Sequence, residues 1–217
     1  MLPIPPYSTK WEGKSEPLNI NDPRFSPAGV LAPESKADLA FTRHMLSWLS
    51  TEGTAAIVEF PGVLYRGGAE GKIREHLVRN NYVDAVVQLP ADLFFGTTIA
   101  TCVLVLKKSK ASSDILFVDA SGEFTRRDSK NKLMPEHIDR ISTTVLSRVE
   151  DECFSRLVAN DEVLANDANL SVGAYVEKPD AREAIDIVEL NARIEKIVER
   201  ERELREQVDA IVADLEA

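Results

Sequence analysis

The chain has 217 residues, 44% of them apolar and 29% charged, with a formal net charge of −10. This composition is that of a globular protein of one or two modest domains. No stretch approaches the roughly 18 consecutive apolar residues of a membrane helix, no Cys/His spacing suits zinc, and with no basic region followed by an apolar run at the start, no secretory signal is expected. The composition excludes the chain-wide basic field on which affinity for nucleic acid normally rests.

The first seven residues, Met1-Leu2-Pro3-Ile4-Pro5-Pro6-Tyr7, are rich in proline. Residues 8–35 continue without periodicity and hold Pro17, Pro23, Pro27 and Pro33 with Gly13 and Gly29, which predicts a long irregular segment. Such a segment is usually functional or disordered. A helix is expected over about 36–51, capped by Ser35 or Asp38, with Leu39, Phe41, Met45, Leu46 and Leu49 inward. Thr54–Phe60 (TAAIVEF) reads as a buried strand closed by Pro61-Gly62. After Gly67-Gly68 a second helix is expected over about 69–80, with Ile73, Leu77 and Val78 inward.

Val83–Leu89 (VDAVVQL) and Thr98–Leu106 (TIATCVLVL) read as strands joined by a short loop at Phe94-Phe95-Gly96, hence an antiparallel pair. Ile115–Val118 reads as a further short strand. Strands separated by helices imply parallel pairing in an α/β sheet, with the antiparallel hairpin strand expected at its far side. Cys102, inside an apolar run, is expected to be a buried free thiol rather than half of a disulfide with Cys153. This cysteine usage suits a reducing cytoplasm. Local basic groups at Arg66, Lys72, Arg74 and Arg79, at Lys107, Lys108 and Lys110, and at Arg126, Arg127, Lys130 and Lys132 read as solvated helix faces and strand ends.

Residues 121–182 are mixed: a helix over Pro135–Leu146 with His137, Ile138, Ile141 and Leu146 near one side, then a loop over Ala165–Tyr175. From about 183 one long helix is expected. Ile187, Ile194, Val208 and Leu215 occupy one heptad position, and Leu190, Ile197, Leu204 and Ile211 the other, with Glu201 as the charged interruption. Eleven acidic and five basic residues fall between 183 and 217. Its apolar stripe needs cover. The helix either packs on its own domain, pairs with a copy of itself, or docks on a different partner, and Glu201 disfavours the symmetric pair. Three regions result: 1–120, 121–182 and 183–217.

Taken in order, IPPYSTKWEGK, INDPRFSPAGVLAPESKADLAF, FPGVLYRGGAEGKIREHL, VDAVVQLPADLFFGTTIATCVLVLKK and ANLSVGAYVE resemble the modification (M) subunits of type I restriction–modification systems. Each run alone is weak, but the set in this order is specific. The resemblance implies the second half of an S-adenosylmethionine-dependent methyltransferase (Rossmann-like) fold followed by a helical tail. It implies methyl transfer from S-adenosylmethionine to the exocyclic amine of adenine in DNA. The implied partners are a specificity subunit that reads the sequence and, indirectly, a restriction subunit, with DNA bound only within the complex.

The family's catalytic loop is Asn-Pro-Pro-Tyr. By position Pro5 supplies a carbonyl, Pro6 the rigid turn and Tyr7 a face for the flipped base. Ile4 stands where the asparagine should, and offers neither donor nor acceptor. Asp38 and Phe41 match a segment near the cofactor pocket; capping and core packing account for them equally. Phe94, Phe95 and Thr97 match a segment beside the target-base pocket, where Phe95 as ordinary core is the competing reading. Leu190, Ile194, Ile197, Leu204, Val208 and Ile211 are the implied partner-binding stripe. Trp11 and Trp48 have no derivable role.

The family's Gly-rich cofactor loop has no counterpart here, so the chain alone is expected to be inactive and not to bind S-adenosylmethionine. Without the family's preceding strands, the 54–60 strand is expected to be a sheet edge open to self-association. A non-catalytic assembly module and a decayed remnant are the alternatives to an enzyme part.

Overall fold

The computed structural model describes residues 1–177 and 187–216. It divides into two compact units, Met1–Lys178 and Pro179–Ala217. In the first unit, helix α1 (Pro17–Asn21) is followed by α2 (Asp38–Trp48), β1 (Thr54–Glu59), α3 (Ala69–Arg79), β2 (Val83–Gln88), β3 (Cys102–Lys107) and β4 (Asp114–Asp119). A small hairpin, β5 (Thr125–Arg127) and β6 (Lys130–Lys132), then leads to α4 (Pro135–Ser147), β7 (Ser155–Ala159) and α5 (Asn160–Ala165).

The main sheet has the order β1-β3-β2-β4-β7. β3 pairs antiparallel with both β1 and β2, and β2 pairs parallel with β4. The hairpin pairing expected from sequence is present, but its position is corrected: β3 lies inside the sheet, between β1 and β2, not at the far side. β1, β2 and β4 therefore all point the same way. β3 also begins four residues later than the apolar run suggests, because Thr101 and Thr98 offer their carbonyls to the amides of Leu89 and Asp92 and so belong to the loop.

Alternation along the strands divides the core in two. Ile57, Val86, Leu104, Leu106, Ile115 and Phe117 face one side, which α2, α3 and the segment from Val163 to Val176 cover. Ala85, Val87, Val105, Leu116 and Val118 face the other, covered by Phe154 and by Ile141 and Val145 of α4. The inward side of α4 thus differs from the sequence reading: Ile138 is half exposed and Leu146 lies outward. Residues 121–177 are built into this unit, since β7 adds a strand and Leu170, Val172 and Tyr175 enter the core. Cys102 is a buried free thiol and Cys153 is also unpaired.

Polar side chains at the strand ends are used structurally. Asp84, buried in β2, pairs with Lys107 at 2.7 Å and with Arg148 at 2.8 Å. Lys110 donates to the carbonyls of Val83 and Asp114. Lys108 donates to those of Ser47 and Leu49.

The outer edge of β1 is not bare. The Met1 amino group donates to the Thr54 carbonyl, and the amides of Ala56 and Val58 donate to the carbonyls of Met1 and Pro3. Residues 1–3 thus lie parallel to β1 as a stub. The stub takes no further bond at Pro3 because proline has no N–H to donate.

In the second unit, α6 (Ile187–Glu216) is a single helix of 30 residues, about 45 Å long. Its heptad residues lie exposed, Leu190 at 44%, Leu204 at 46% and Ile211 at 60% among them. The expected start of the helix at 183 falls outside the described residues.

Candidate functional site

The stub carries the chain to the carboxyl end of β1. The Pro5–Tyr7 loop therefore lies at the edge where β1, β2 and β4 end, which is where open α/β sheets place their ligands. Pro5 is buried, Pro6 exposed and Tyr7 half-buried. Ile4 is 61% exposed. The Tyr7 ring lies 6.3 Å from that of Phe60, and the Phe60 ring in turn lies under the Arg66 guanidinium. The Tyr7 hydroxyl is buried without a hydrogen-bond partner. Burial raises its pKa, and the nearby Glu59 adds to the shift.

Asp38 explains how the loop is held. At the first position of α2 it is fully buried, and its Oδ1 accepts from the Ser8 amide at 2.7 Å. Ser8 sits in the left-handed region at φ 51°, which a short polar side chain tolerates better than a bulky one. The Thr9 carbonyl accepts from the Ala37 amide, the Glu34 carbonyl from that of Trp11, and the Trp11 indole donates to Pro33. The segment after Tyr7 is thus laced to the start of α2. Neither expected capping role is present: Ala37 occupies the N-cap, with no side-chain cap bond. Phe41 is half-buried against the first core.

Beneath the loop lies a group of buried polar atoms that the sequence reading missed. Glu59, the last residue of β1, has no exposure; its Oε1 accepts from the Thr42 hydroxyl at 2.6 Å, and its Oε2 has no partner. Burial pushes its pKa up to about 8. Arg66 approaches Asp38 at 3.9 Å and Glu70 at 3.6 Å. A single acid at the end of the apolar run TAAIVEF was the available signal.

The second loop at this edge joins β2 to β3. Phe94 is half-buried against the second core, whereas Phe95 is 95% exposed. The Thr97 hydroxyl accepts from the Ile99 amide, and its carbonyl accepts from Lys130. Asp38 and Phe41 belong to α2, which covers one face of the sheet, and Phe94 packs on the other.

Residues 2–184 match the model of the N-6 DNA methylase family. The methylase subunit of the type I restriction enzyme MpnII of Mycoplasma pneumoniae is 46% identical over 97% of this chain and 39% of its own length. The MjaVII methylase subunit of Methanocaldococcus jannaschii is 34% identical over 87% of this chain and 33% of its own. Among solved structures, the type I restriction-modification methyltransferase subunit of Streptococcus thermophilus superposes with a TM-score of 0.78 and 43% identity, over 81% of this chain and 37% of that one. The chain therefore spans well under half the length of these relatives.

Proposed function

We propose a role that proceeds from one premise: this chain belongs to the N-6 DNA methylase family, and it resembles the carboxy-terminal part of a type I methylase subunit. In this role it supplies the face that receives an extruded adenine, for methyl transfer to the exocyclic amine. The observation that carries the reading is the Pro5–Tyr7 loop, brought to the carboxyl edge of the sheet by the stub on β1 and tied through Ser8 to Asp38 at the start of α2.

The chemistry follows from the base. An adenine amine is a poor nucleophile because its lone pair is delocalised into the ring, and a base inside a duplex is out of reach until it is flipped out. Tyr7 offers a ring on which the flipped base stacks. The Pro5 carbonyl accepts from the amine and aims its lone pair. Ile4 provides no second acceptor. By analogy with deletion of one positioned oxyanion donor, that absence costs about 10²–10³ in rate.

S-adenosylmethionine is the methyl donor this family reading calls for. Asp38 and Phe41 do not fit it as ligands: Asp38 is fully buried with its Oδ1 taken by the Ser8 amide, and Phe41 packs on the core. We assign the donor to parts of the relatives' length that this chain does not span. Calorimetric titration of S-adenosylmethionine into the 217-residue chain is expected to give no saturable heat, and saturable binding would overturn that assignment.

For the assembly, 2-aminopurine at the target position of a duplex reports extrusion by its fluorescence. Stacking on the Tyr7 ring quenches the extruded 2-aminopurine, so Tyr7→Phe is expected to keep the signal and Tyr7→Ala to raise it; equal signals would contradict the loop's role. The α6 stripe of Leu190, Ile194, Ile197, Leu204, Val208 and Ile211 is assigned to docking on a specificity subunit, because it is exposed along one helix face and Glu201 disfavours self-pairing.

A further inference from the structure

A lone exposed phenylalanine is ordinary on a protein surface, but Phe95 is not on a loose loop. Its neighbour Phe94 packs against the second core. The loop around it is held from outside by the β5–β6 hairpin. Lys130 donates to the carbonyls of Phe94 and Thr97 at 3.1 and 3.0 Å. The Asn131 amide donates to the Asp92 carbonyl, and its side chain to that of Ala91 at 2.8 Å. Arg126 bridges the Asp92 carboxylate and the Asn131 side-chain oxygen. Asp92 and Gly96 both take positive φ, 54° and 78°, so the loop turns sharply on either side of Phe95.

An isolated two-stranded hairpin is marginal on its own. Among the described residues the three-residue strands of this one pair only with each other, and two of its side chains, Lys130 and Asn131, donate to the 91–97 backbone. The result is a braced backbone that presents Phe95 at the same edge of the sheet as Tyr7, at 95% exposure. Extruding a base leaves a gap in the stack, and proteins that distort duplexes fill such gaps with apolar wedges.

We propose that the β5–β6 hairpin is a clamp that holds Phe95 out as an apolar wedge for duplex DNA, entering the gap that an extruded base leaves. Lys130 and Asn131 are positioning residues in this arrangement. The proposal rests on the DNA-methylase reading above and deepens it: the wedge contacts the remaining stack, not the flipped base itself.

The test uses the methylase assembly that contains this chain, with two fluorescein-labelled duplexes, one carrying adenine at the target position and one an abasic site. A ring filling the gap acts on both duplexes, whereas a ring stacking on the flipped base acts only where a base is present. Phe95→Ala is expected to weaken binding to both by about tenfold, the scale of one lost stacking contact. Phe95→Leu should stay within about threefold of wild type, as an apolar wedge still fills the gap. Lys130→Met should shift binding in the same direction as Phe95→Ala without changing the melting temperature by more than a few degrees. A loss confined to the adenine duplex, or no loss with either, overturns the wedge. Absence of any duplex binding by the wild-type assembly overturns instead the DNA reading on which it stands.

Discussion

Glu59 closes β1 with a carboxyl group that the surrounding core pushes up to about 8 from its ordinary 4.5. The folded state therefore binds the proton more tightly than the unfolded chain. The stability this contributes is complete below about pH 4.5 and is lost as pH rises through 8. Glu59→Gln keeps an acceptor for Thr42 and removes the titration. Its melting temperature is expected to match wild type near pH 5 and to exceed it by several degrees near pH 8.5, read by circular dichroism. A difference that does not change with pH would contradict the assignment. Asp38 serves as an anchor for the loop. Asp38→Ala leaves the Ser8 amide, in a part-buried bond, without its acceptor and should cost about 1 kcal/mol, with faster hydrogen exchange at Ser8; unchanged exchange there would mean that the loop is held by other contacts. The Tyr7 hydroxyl has no partner to lose, so Tyr7→Phe should not lower stability.

At the scale of elements, the apolar runs located β1, β2, β3 and β4 in the sequence because buried strands concentrate apolar residues. Their order in the sheet was not legible, since periodicity carries no information on non-local pairing; only contacts between β1 and β3 place the latter inside. β7 was missed because Ser155–Ala159 is short and lacks the two-residue period of a strand: its buried positions, Ser155 and Val158, lie three apart. The site was legible through Pro5-Pro6-Tyr7. What Asp38, Phe94 and Phe95 do depends on side-chain direction, which adjacent residues of like chemistry do not disclose. The long helix expected at the end of the chain is present as α6 over Ile187–Glu216. Leu204→Asp places a charge in the centre of its stripe and should reduce co-purification with a specificity subunit at least tenfold while leaving the helix formed by circular dichroism. Undiminished co-purification would exclude this face.

For the whole molecule, charge is unevenly distributed. The 183–217 segment carries eleven acidic and five basic residues, which leaves 25 acidic and 21 basic residues in 1–182. The segment that holds the loops is thus nearly balanced, and the strongly acidic one is the helix assigned to a protein partner rather than to DNA. The loop proposed to face adenine has Ile4 where the family's catalytic loop has asparagine. Radiolabelled methyl transfer from S-adenosylmethionine to an unmethylated duplex, by the assembly that contains this chain, should be compared for wild type and Ile4→Asn. The account predicts that Ile4→Asn raises the rate by about 10²–10³. Equal rates in the two assemblies, with Tyr7→Ala also without effect, would contradict it.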